Sequence, residues 1–235
     1  MKLSALATTL CLVLVLFGSL PIAAAKDQGD HVEIRVSVFN YAPFSPGTIE
    51  EAEGDAGRVL RDAGVDVLWL NCLQDGMQSA SFEQCIDPSF PLHFDLRIVR
   101  SSRNLQASVL GIAFFADDGQ GCCADVFYQE VQRLQYAIDV SVILGHAMAH
   151  ELGHLLLGMN AHSPSGIMRA HWTREDLKSA SRGCLQFSSE QSRRIKSRLA
   201  PGALHRTQTM EASTEKPVQN DLSSRVSRDK GDFNE

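Results

Sequence analysis

His150, Glu151 and His154 are the residues of this 235-residue chain whose types and spacing most directly promise chemistry. Two histidines four apart share one face of a helix, with Cβ atoms about 5–6 Å apart, so both imidazoles can reach one zinc ion at about 2.0–2.1 Å. A carboxylate beside the first histidine then leans toward a water at the metal without binding the metal itself. That is the position of a general base for hydrolysis. Chance produces such a pattern in roughly one chain of this His and Glu content in a hundred, so the neighbouring residues must strengthen the reading.

After His154 the chain runs Leu155-Leu156-Leu157-Gly158-Met159-Asn160-Ala161-His162-Ser163, then Gly166-Ile167-Met168. A helix broken at Gly158 lets the chain turn back and bring His162 to the same ion. Here the sequence resembles the metzincin clan of zinc peptidases, most closely its matrixin-like members, whose motif is H-E-x-x-H-x-x-G-x-x-H-S followed by a Met-containing turn. The resemblance implies His150, His154 and His162 as zinc ligands, Glu151 as general base, Gly158 as the helix-ending glycine and Met168 as the Met-turn residue. It extends upstream to Leu110-Gly111-Ile112-Ala113-Phe114-Phe115, which is similar to the edge strand lining the substrate cleft in that clan. About residues 109–168 are covered.

The spacing departs from that motif in two places. Three residues rather than two separate His154 from Gly158, and three again separate Gly158 from His162. One extra helical residue rotates the exit by about 100°, so the second must restore the approach of His162. Glu175, 21 residues past His154 as in thermolysin-like enzymes, and His171 are the other candidates for third ligand. His146, one turn before His150, shares the ligand face and reads as a supporting or core histidine. Asp117, Asp118 and Asp139 are acidic enough for the structural Ca2+ that matrixins carry, with a solvated loop as the plainer reading. Tyr128 and Tyr136 could stabilise an oxyanion, with buried packing as the simpler role.

These residues need a fold to position them. Ile143, Leu144, Ala147, Met148, Leu152, Leu155 and Leu156 recur at helical spacing over Ser141–Leu157, and Gly158 stops the helix. Val32–Phe39 alternates like a half-exposed strand, and Asn40–Gly47, with two prolines, ends it. A helix follows with Thr48 as N-cap, Glu50 and Glu51 in its first turn and Gly64 as its stop. Val65–Leu70 then reads as a buried strand, completing a β-α-β unit. Asn71–Pro91 is a long insertion, Leu92–Val99 and Val109–Phe115 are strands, and Ala116–Gly121 is a loop. Ala124–Val131 reads as a short strand, and Glu175–Ser181 and Ser188–Leu199 as short helices. The expected fold is α/β (α+β): one metzincin-like domain, a twisted mixed sheet with helices on one side, an active-site helix behind the cleft and a Met-turn.

Composition bounds the partners. With 44% hydrophobic and 21% charged residues, the chain suits one domain with an adequate core. Lys2, the apolar run Leu10–Leu20 and Pro21-Ile22-Ala23-Ala24-Ala25 read as a secretory signal peptide over residues 1–25, cut before Lys26. Without its one Lys, 21 basic side chains face 28 acidic ones, a net charge of −7. That disfavours nucleic acid or anionic membrane and leaves a peptide or protein substrate as the expected partner. Residues 26–200 form the domain, and the polar, aperiodic stretch 201–235 reads as a disordered tail. Few residues lie between the predicted cut and the first strand, so a pro-segment with an inhibitory cysteine is not expected.

Five cysteines remain after the cut. Cys72 and Cys85 are expected to pair across a short polar loop, and one of Cys122 and Cys123 to pair with Cys184, since bridging the adjacent two would be strained. Their spacing is not that of a zinc ribbon. The function expected is that of a secreted zinc endopeptidase. The alternatives are a non-catalytic secreted zinc-binding module closed by a fourth ligand such as His146, and a zinc hydrolase acting on a non-peptide amide.

Overall fold

Strand β1, Val32–Asn40, buries Ile34, Val36 and Val38 completely, the period-two burial that places one strand face on a core. Helix α1, Pro46–Asp62, returns the chain to β2, Val65–Asn71, which lies parallel to β1, as the β-α-β reading expects. In this computed structural model residues 31–72, 83–85, 92–101, 109–116 and 119–200 are described. The expected signal peptide, most of the Asn71–Pro91 insertion, Asp117, Asp118 and the 201–235 tail lie outside them.

Strands β3, His93–Val99, β4, Gly111–Phe115, and β5, Gly121–Phe127, complete a five-stranded sheet in the order β2-β1-β3-β5-β4. All pairings are parallel except β4 with β5, so β4 is an antiparallel edge strand. Helix α2, Tyr128–Leu134, follows β5 directly. Helix α3, Val140–Leu157, packs against α1, β4 and β5, and against the closing helices α4, Arg174–Ser181, and α5, Ser189–Leu199. The mixed α/β domain with α3 behind the sheet edge matches the expected architecture.

Fifteen of the eighteen α3 residues are buried, which accounts for its nearly all-round apolar character. Among the described residues it is the one helix long and apolar enough to cross a membrane, and it sits inside the fold. Asp139 caps it, accepting from the Ser141 N–H and hydroxyl at 2.8 Å each. Gly145 lets α1 come close: a Cβ there would stand 2.5 Å from the Ala52 carbonyl oxygen.

Three local expectations are corrected. The N-cap of α1 is Ser45, not Thr48. Ser45 Oγ accepts from the Thr48 N–H at 3.1 Å, and Pro46, with no N–H to satisfy and φ preset, starts the helix earlier. Glu50 and Glu51 therefore fall beyond the first turn. The segment Ala124–Val131 is not one strand: β5 begins at Gly121, paired with Phe115, and the chain turns helical at Tyr128. Its apolar run straddles two elements, which periodicity alone does not separate. Cys72–Cys85 forms as expected, but Cys122, Cys123 and Cys184 are all free thiols, so no bond reaches Cys184.

Candidate metal centre

His150, Glu151 and His154 occupy the last two turns of α3, where the helix passes behind β4. Past Leu157 the chain reverses through two left-handed residues, Gly158 at φ 86° and Asn160 at φ 60°. The Gly158 N–H closes on the His154 carbonyl at 2.8 Å. Glycine and asparagine are the residues that tolerate this backbone region, and the reversal takes up the lengthened spacing. It returns His162 to the helix end.

There His154 Nε2 lies 3.1 Å from His150 Nε2 and 3.2 Å from His162 Nε2. Together the three histidines form a group able to hold a metal ion. One hydrogen on His154 could serve one of its two neighbours but not both. The donor set fits zinc, because two ligands about 2.0–2.1 Å from a tetrahedral ion stand about 3.3–3.4 Å apart. Burial pushes His150 down to about 4, opposed by its hydrogen bond to Ile167 and aided by the charge of His162. Burial and then the charges of His150 and His162 push His154 down to about 3, and His162 is lowered by burial and by His171. Burial thus favours the neutral form of all three, the form in which imidazole binds metal.

Orientation comes from the turn after His162. His150 Nδ1 donates to the Ile167 carbonyl at 2.7 Å, which leaves the Nε2 lone pair facing the cluster. The same oxygen accepts from Trp172 Nε1 at 3.0 Å, and the indole stands edge-on to the His150 ring, centroids 5.9 Å apart. The Ser163 N–H reaches the Met168 carbonyl at 2.9 Å, and the Ile167 N–H reaches that of Gln186 at 3.0 Å. Met168 is fully buried beneath Gly153, where a Cβ would meet its Sδ at 2.7 Å.

Glu151 is 3% exposed and lies against β4. A Cβ on Gly111 would stand 2.6 Å from its Cγ and Oε1 and 2.5 Å from the Asp125 carbonyl oxygen, so the carboxyl occupies room that only glycine leaves. Burial, with a smaller contribution from the Asp125 charge, pushes Glu151 up to about 8. A cleft of about 550 Å³ opens there, lined by Gly111 to Ala113 of β4 and by His171 and Trp172. The outer edge of β4 pairs with no strand among the described residues.

Of the other candidates among the described residues, none joins the cluster. Glu175 is exposed and paired with Lys178 at 2.8 Å, which lowers its pKa. His171 lines the cleft but is not among the three histidines grouped as metal donors. His146 is fully buried one turn up α3, with Nδ1 on the Val142 carbonyl at 2.8 Å. Asp139 serves as a helix cap, and Tyr128 packs edge-on against Phe44 with centroids 4.8 Å apart. Tyr136, expected to be buried, is 73% exposed. Sequence reasoning missed Gly111 and Trp172. A glycine inside a strand is a visible sign of close backbone or side-chain approach, whereas nothing local marks Trp172 as a partner of a histidine 22 positions earlier.

No protein-family model matches the chain, and no curated protein matches it. Among solved structures it is similar to a zinc-dependent peptidase from Methanocorpusculum labreanum, with 16% identity and a TM-score of 0.46 over 68% of this chain and 99% of that one. It is also similar to archaemetzincin from Methanopyrus kandleri, with 17% identity and a TM-score of 0.40 over 73% of this chain and 97% of that one. These are likenesses of outline, and the chemistry is read from the side chains of this chain itself.

Proposed function

We propose that the protein is a secreted zinc-dependent endopeptidase in which His150, His154 and His162 hold the metal and Glu151 is the general base. The observation that carries this is the convergence of three imidazole nitrogens, 3.1 and 3.2 Å apart, with one buried carboxylate in the lining of the same open cleft. Zinc, when bound, supplies a Lewis acid that makes water acidic near pH 7 and stabilises negative charge on a carbonyl oxygen. An adjacent cation also favours the ionised form of Glu151, offsetting the burial that raises its pKa. Glu151 then takes the proton of the attacking water and passes it to the departing amine.

The substrate is held by backbone groups as well as pockets. An extended peptide adding to the open edge of β4 would run past Glu151 in both directions, which suits cleavage within a chain. Three protein ligands leave a coordination position for water, whereas a structural site closes with four. His146, the candidate fourth, is not among the histidines whose donor atoms group together. The matrixin-like motif and the signal-like residues 1–25 complete the reading.

The test compares the purified protein with Glu151→Gln for zinc content and for cleavage of an unbiased peptide library. Zinc in both, with activity about 10²–10⁴-fold lower in the variant, is the expected result. Zinc in both and cleavage by neither would indicate a binding module. Cleavage confined to non-peptide amides would indicate another hydrolase, and absence of zinc from the wild type would sink the proposal.

A further inference from the structure

Away from the histidines, the described residues hold one pair of thiols within contact distance. Cys122 and Cys123 are neighbours on β5, yet their Sγ atoms are 3.7 Å apart. Adjacent side chains on a regular strand point to opposite faces. The exception has a cause in the register: Phe114 pairs with Cys123 and Phe115 with Gly121, so Cys122 is the extra residue of a β-bulge. A bulge re-aims side chains, and here it brings two successive ones together. Cys122 is exposed and Cys123 half-buried, so one thiol meets solvent while the other waits behind it.

We propose that Cys122 and Cys123 form a redox-active dithiol site that closes to a vicinal disulfide by exchange with low-molecular-weight disulfides and reopens under mild reduction. Cys122, deprotonated, attacks one sulfur of a small disulfide RSSR and releases RS⁻, which takes up the proton as RSH. Cys123 then loses its proton and attacks Cys122 Sγ, expelling the second RSH. Two protein thiols are oxidised to one S–S bond and RSSR is reduced to two thiols.

The order of attack follows exposure, and burial together with the neighbouring Cys122 thiol pushes Cys123 up to about 11, making it the slower nucleophile. Reversibility follows from the chain. Adjacent Cα atoms stand about 3.8 Å apart, below the roughly 4.4–6.8 Å that relaxed disulfides span, and a strained, exposed bond is readily reduced. The bulge adjoins the cleft: Gly121, the preceding residue, packs on Leu155 next to His154, and Phe115 opposite it lines the cavity. The dithiol chemistry does not depend on zinc.

The experiment equilibrates the purified protein with glutathione disulfide, blocks free thiols with iodoacetamide and digests with trypsin without reduction. The peptide from Asn104 to Arg133 contains these two cysteines and no other. The expected peptide carries no alkyl group and is two hydrogens lighter than its reduced form. Brief, mild dithiothreitol should restore double alkylation while Cys72 and Cys85 stay unlabelled. As an independent measurement, one equivalent of phenylarsine oxide, which needs two thiols, should protect both cysteines in wild type and leave Cys123 open to alkylation in Cys122→Ser. Double alkylation after the oxidant, two glutathione adducts, or a bond to Cys184 or to a second chain would each overturn the proposal.

Discussion

His146 and His150 sit one turn apart on α3, both buried, each with Nδ1 on a backbone carbonyl, and they face different surroundings. The partner of His146 is Val142, one turn back on the same helix, and its Nε2 has no hydrogen-bond partner among the described residues. The partner of His150 is Ile167, on a turn 17 residues later, and its Nε2 lies 3.1 Å from His154 Nε2. The glycines divide the helix in the same way. Gly145 admits α1 backbone, while Gly153 admits the side chains of Met168 and Phe187. One half of α3 is fixed by helix packing and the other by a returning loop. What separates the two histidines is therefore what the loop supplies, since residue type, helix face and burial are shared.

The largest effect that would sharpen this contrast is His150→Ala. Zinc affinity should fall by more than about 100-fold, the upper range for losing a merely supporting contact, as measured by chelator competition. Gly111→Ala should press on both Glu151 and the Asp125 carbonyl, lowering activity at unchanged zinc content and costing about 1–3 kcal/mol in urea denaturation. Gly145→Ala should cost a similar amount by forcing α1 away, with zinc affinity unaltered. If Gly145→Ala lost metal while keeping its stability, the division of α3 would be wrong.

Smaller effects follow on either side. Burial pushes Glu53 on α1 up to about 7, opposed by a hydrogen bond from Asn71 Nδ2 at 3.3 Å. The folded state keeps a proton that the unfolded chain releases near 4.5, so this group's contribution is complete below that value and is lost as pH rises through about 7. Compared with Glu53→Gln, wild type should lose about 2 kcal/mol more between pH 5 and pH 8, read from urea midpoints. Trp172→Phe should weaken zinc binding by about 10-fold and leave turnover at saturating zinc nearly intact. His146→Phe should change zinc affinity least of all, because it removes an unpartnered buried nitrogen and keeps a ring. Metal loss in that variant would break the comparison outright.

What the sequence made legible was local. His150, Glu151 and His154 could be placed together because four helical residues always bring side chains to one face, and Gly158 was recognisable as a stop. The Cys72–Cys85 bond could be read from the short polar loop between the two, and the β4 edge from the family resemblance of Leu110–Phe115. The approach of His162, rather than Glu175 or His171, to the helix histidines was not decided by spacing. It rests on two left-handed residues, of which Asn160 carried only a weak sign of its conformation. Ser45 outcompeted Thr48 because Pro46 set the helix start, and the β5–α2 boundary was hidden in one apolar run. Trp172 was beyond reach, because its role depends on a carbonyl shared with a distant ring.

That shared oxygen belongs to the main chain, while the side chain of Ile167 is fully buried in the core and anchors the turn that carries it. The ring's direction is thereby written into the route of the polypeptide rather than into the identity of any one side chain. Replacing Ile167 should matter to the ring only so far as the lost packing moves that route, and a small detour anywhere between Ser163 and Trp172 would turn the imidazole away with all three histidines still present.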